Sequence, residues 1–127
     1  LPVPDSRFIH GLELFDEGDY FECHEVIEAL WLRTASDDPY RDLYKGVIQA
    51  AAALYQYDRG ILTGARGLFR SSVDTLAKYE PRAMGLNVRK LTDEMKACFA
   101  DFLTWDGEDP LTLPLTLVPV LDYEGKR

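Results

Sequence analysis

The chain has 127 residues, 46% of them hydrophobic and 28% charged. That is enough apolar material for one folded domain and too much for a disordered segment. Its 22 acidic residues outnumber 14 basic ones, for a net charge of −8, and without a basic stripe this balance argues against nucleic acid or an anionic membrane as a partner.

Five helical segments follow in chain order. The first runs from about Asp5 to Asp16, with Phe8, Leu12 and Phe15 at i, i+4, i+7, and breaks at Glu17-Gly18. The second starts at Asp19, an N-cap with Glu22 at capping-box spacing. Its stripe is Cys23, Val26, Ile27 and Leu30, and Ser36-Asp37-Asp38 ends it. The third takes Asp38 as N-cap and Pro39 as first helical residue, and runs to Arg59 before Gly60. Leu43, Val47, Ile48, Ala51, Leu54 and Tyr55 give it a wide apolar face, and Gly46 in mid-helix marks a close helix contact. The fourth spans about Thr63 to Tyr79, and the fifth runs from a cap at Asn87 to about Thr104.

The last segment reads differently. Leu111, Leu113, Leu115 and Leu117 alternate with Thr112, Pro114 and Thr116, a period of two, while Pro110, Pro114 and Pro119 forbid a central strand. The expected fold is therefore all-α, a compact five-helix bundle over residues 1–107. An extended Pro/Leu-rich tail, residues 108–127, packs on the bundle or on a partner. No β-sheet is expected. Too much apolar surface lies between Leu111 and Val120 for the tail to stay in water.

Cys23 and Cys98 fall on apolar helix faces and lack CxxC spacing, so they read as buried free thiols. No apolar run approaches the length of a membrane span. The opening residues Leu1-Pro2-Val3-Pro4 lack signal-peptide form, although a start other than Met leaves room for residues upstream. A cytoplasmic location is expected.

Chemistry concentrates in residues 20–31. On a helix at about 100° per residue, His24, Tyr20 and Trp31 share one flank of the buried stripe, and Glu28 follows His24 by one turn. Glu22 and Glu25 point elsewhere. An antiparallel third helix offers Arg41, Tyr44, Lys45 and Gln49 as polar partners. Three readings fit. His24 and Glu28 could begin a metal site, but two ligands do not complete one, and His24-Glu25-Val26-Ile27-Glu28 lacks the second His of HExxH. They could be an acid–base pair, with Glu25 as a further candidate. Or they could be a satisfied polar network that only fixes helix packing.

The run Phe15-Asp16-Glu17-Gly18-Asp19-Tyr20-Phe21-Glu22-Cys23-His24-Glu25-Val26-Ile27-Glu28-Ala29-Leu30-Trp31 resembles the signature of the domain-of-unknown-function 309 family. The segment from Tyr44 to Tyr55, Gly64-Ala65-Arg66 and Gly85-Leu86-Asn87-Val88 agree with it. The likeness covers about Phe8 to Leu103 and excludes the tail. It implies an all-α bundle of bacteria and archaea with no assigned activity. It matches Glu22, His24, Glu25, Glu28, Trp31, Gly46 and Gln49 to the family's motif positions. It also implies a His near Tyr55 and Gln56 in many members, which this chain lacks, so a metal site would be one ligand short.

The expectation is a small-ligand or acid–base pocket around His24 and Glu28, between the second and third helices. Tyr20, Glu22, Trp31, Arg41, Tyr44 and Gln49 would line it. No metal or cofactor is expected, and a small molecule and a second copy of this chain are the partners to test for. The alternative is a non-enzymatic structural or interaction module.

Overall fold

In the computed structural model, which describes residues 2–127, five helices form the bundle: α1 (Ser6–Asp16), α2 (Tyr20–Arg33), α3 (Arg41–Asp58), α4 (Leu62–Leu76) and α5 (Val88–Cys98). The 3-10 turn Ala77–Tyr79 extends α4, and Ala100–Leu103 follows α5, so both reach nearly as far as the apolar pattern does.

Local chemistry sets most boundaries. The Asp5 carboxylate accepts the Arg7 N–H at 2.8 Å and caps α1, and Asn87 accepts the Lys90 N–H at 3.0 Å and caps α5. Gly18, at φ 80°, turns the chain between α1 and α2. Two expected caps differ. Asp19 precedes α2 but its side chain makes no capping bond. Asp38 accepts from the Tyr40 N–H at 2.8 Å within a turn, and α3 starts only at Arg41, because this local Asx bond competes with helix.

The core joins Phe8, Leu12 and Phe15 of α1 to Ile27 of α2, Leu43 and Val47 of α3, Leu76 of α4, and Leu91 and Met95 of α5, all essentially buried. Phe69 stacks on Phe99 at 4.9 Å between centroids. Close approach needs glycine at two places. A Cβ on Gly46 would lie 2.6 Å from the Leu76 side chain, and one on Gly11 would collide with Ile27. The α3–α4 and α1–α2 contacts are thus both built on missing side chains. Cys23 and Cys98 are free and buried.

The expectation of no sheet needs correction. β1 (Arg82–Ala83) and β2 (Leu86–Asn87) form a hairpin, with Arg82 opposite Asn87 and Ala83 opposite Leu86. Its two-residue loop places Met84 at φ 47° and Gly85 at φ 78°, the pair of positive angles of a type I′ turn. The tail then adds itself to this hairpin. Leu86 bridges to Tyr123, the Asn87 N–H donates to Asp122 O at 2.8 Å, and the Glu124 N–H donates to Gly85 O at 2.8 Å.

The tail lies on its own bundle. The Leu113 N–H donates to the Tyr57 hydroxyl at 2.8 Å, and the Val120 N–H to Glu94 at 2.9 Å. Leu113, Leu121 and Tyr123 are buried. Leu111 and Val118 are half-buried against the core, while other apolar residues of the tail stay in water. Leu115 is 80% and Val120 55% exposed, because a 3-10 turn at Leu115–Leu117 interrupts the alternation.

Candidate functional site

α2 and α3 run antiparallel. Phe21, at the start of α2, packs on Tyr55 near the end of α3 (centroids 5.4 Å apart), and Trp31, near the end of α2, meets Arg41 at the start of α3. Between these two contacts lie His24 and Glu28, one turn apart on the same flank. His24 Nε2 stands 3.0 Å from Glu28 Oε2, and the side chains keep 33% and 44% of their surface open. The Phe21 ring lies 6.3 Å from the imidazole.

Each end of this flank carries a cation over an aromatic face. The Arg41 guanidinium sits 4.2 Å above the Trp31 ring and donates from Nε to Thr34 O at 3.3 Å. Arg59 lies 5.7 Å from the Tyr55 ring and donates to its hydroxyl at 3.2 Å. Trp31 Nε1 is buried with no hydrogen-bond partner among the described residues.

The residues named from sequence separate into groups. His24, Glu28, Trp31 and Arg41 share the flank. Glu25 is exposed elsewhere on α2. Tyr44 turns toward α1, its ring 5.2 Å from Phe8, and burial raises its hydroxyl pKa to about 12. Gln49 follows Gly46 by three residues, so it lies on the side of α3 that packs on α4, and its Oε1 is buried without a partner. Gln49 therefore does not join His24. Helical arithmetic on α3 alone could not choose between the flanks, since either could have faced α2.

Tyr20 and Glu22 belong to a cleft of about 260 Å³ at the start of α2, together with Gly18, Asp19, Phe21, Tyr55 and Asp58. Tyr20 packs edge-on against Phe15 at 5.3 Å, and its pKa rises to about 12, first by burial and then by the nearby Asp58 charge. Reading the sequence missed Phe21, Tyr55 and Asp58. Phe21, an aromatic residue at the start of α2, is 46% exposed. Among the described residues no group of three or more His, Cys, Asp or Glu side chains could hold a metal ion. Among the described residues no helix is long and apolar enough to cross a membrane.

The fold and this flank define a small all-α bundle with a histidine–carboxylate pair presented between aromatic residues. Residues 8–68 match the family model described as "Domain of unknown function (DUF309)". The chain is also 33% identical over 118 residues to "Uncharacterized protein YpuF" of Bacillus subtilis (strain 168). That match takes in 88% of this chain and 65% of the length of the relative.

Proposed function

We propose that the α2–α3 flank is a small-ligand site in which His24 hydrogen-bonds to, or exchanges a proton with, the bound molecule. Glu28 steadies the imidazole and holds the imidazolium once a proton arrives. The observation that carries this reading is the 3.0 Å His24–Glu28 contact on an accessible surface. Both side chains stay open to solvent, where a bound molecule can reach them. Phe21 and Trp31 supply apolar faces on either side, and Arg41 supplies a fixed cation next to Trp31.

A fragment screen by ¹⁵N–¹H NMR on the intact chain tests it. Shifts should centre on Phe21, His24, Glu28 and Trp31 and vanish in His24→Gln while the fold signals persist. Fragments that bind only elsewhere, or that ignore His24→Gln, overturn it.

One observation favours a second reading, an interaction module with a protein partner. Phe21 is 46% and Leu32 65% exposed, so α2 leaves apolar surface uncovered. Partner binding that survives His24→Gln but fails in Phe21→Ser would select this reading.

A further inference from the structure

The cleft at the start of α2 has a composition different from the histidine flank. Three aromatic residues, Tyr20, Phe21 and Tyr55, line it together with three acidic ones, Asp19, Glu22 and Asp58. Among the described residues no basic side chain lies within ion-pair distance of these three carboxylates, although eight ion pairs form elsewhere. Burial of part of its surface raises the pKa of Asp58. Tyr55, whose ring packs against Phe21, already accepts a cation: the Arg59 guanidinium lies 5.7 Å from it.

We infer that this cleft binds a small organic cation, an alkylammonium group carried by a free amine or by a lysine side chain. Aromatic rings attract such a cation through their electron-rich faces, and the cleft combines aromatic residues with carboxylates of the opposite charge. The volume of about 260 Å³ suits an ammonium head with a short apolar chain rather than a larger cofactor. A bare metal ion is less well served, because the lining carries aromatic residues in place of converging oxygens. The inference does not rest on the His24–Glu28 reading, and neither residue lines the cleft.

The test uses the full chain and ¹⁵N–¹H NMR. Tetramethylammonium chloride, butylammonium chloride and an acetylated Gly-Lys-Gly amide are titrated separately against a sodium chloride control of equal ionic strength. The expected result is a saturable shift confined to residues 18–22 and 55–58. Affinity should fall about tenfold in Asp58→Asn and in Phe21→Ala, the size of one good cation–aromatic or charge contact. Asp101→Asn, an exposed acid elsewhere, should leave binding unchanged. A stronger response to the peptide assigns the source to a lysine side chain, and a stronger response to the amines assigns it to free amines. Shifts that match sodium chloride, spread over the acidic surface, or persist in both cleft variants overturn the inference. Asp58 is exposed, so Asp58→Asn tests the cleft without disturbing the core.

Discussion

The carboxylate of Asp16, the last residue of α1, accepts a hydrogen bond at 2.8 Å from the backbone N–H of Leu121, 105 positions later. Its other oxygen pairs with Lys126 at 2.7 Å, and Lys126 also donates to Leu121 O. One side chain thus clasps the tail to the first helix beside buried Leu121 and Tyr123.

Asp16→Ala should destabilise the protein by about 1–3 kcal/mol, the cost of leaving a shielded N–H unpaired. Asp16→Asn keeps an acceptor for Leu121 and should lose less. Urea unfolding measures the stability, and amide exchange at Leu121 reports the clasp. Equal stability in all three proteins would show that the tail is held without Asp16.

Removing residues 108–127 should lower the melting temperature and expose dye-binding surface. Leu113, Leu121 and Tyr123 leave the core, and the hairpin edge at Leu86–Asn87 loses its partner. An unchanged melting temperature would mean that the tail contributes nothing to folding.

Gly46→Ala should destabilise by about 1–3 kcal/mol through overpacking, despite the better helix propensity of alanine. The new Cβ would stand 2.6 Å from the Leu76 side chain. Adding Leu76→Val should recover part of the loss, since it shortens the group struck. Chemical denaturation of both variants checks this, and a stabilising Gly46→Ala would contradict the close packing.

Alkaline pH should weaken the fold through its buried thiols. Burial raises Cys23 from 9.0 to about 12 and Cys98 from 9.0 to about 11. Both are neutral in the folded state and ionise more readily when unfolded. Their stabilising contribution is therefore complete below pH 9.0 and declines as pH rises toward about 12. Urea midpoints should fall through this window, and the fall should be shallower in Cys23→Ala measured against its own neutral-pH value. A flat profile would show that neither thiol ionises differently on unfolding.

A double-mutant cycle on His24 and Glu28 should give a coupling of about 0.3–0.5 kcal/mol, as for an exposed i, i+4 pair. A coupling several times larger would make the pair a packing device and weaken the ligand-site reading.

The helices were legible from residue order because helix formation is local. Phe8, Leu12 and Phe15, or Leu91, Met95 and Cys98, mark a buried face wherever the helix docks. The His24–Glu28 contact was legible for the same reason, since four residues make one turn. What lies opposite was not. That Gln49 turns to α4 and Tyr44 to α1, that Phe21 stays exposed against Tyr55, and that the tail pairs with Leu86–Asn87 all depend on how helices are placed around each other. Those choices are decided by packing between residues far apart in sequence, such as Gly46 against Leu76 and Asp16 against Leu121, and periodicity within one segment carries no information about them.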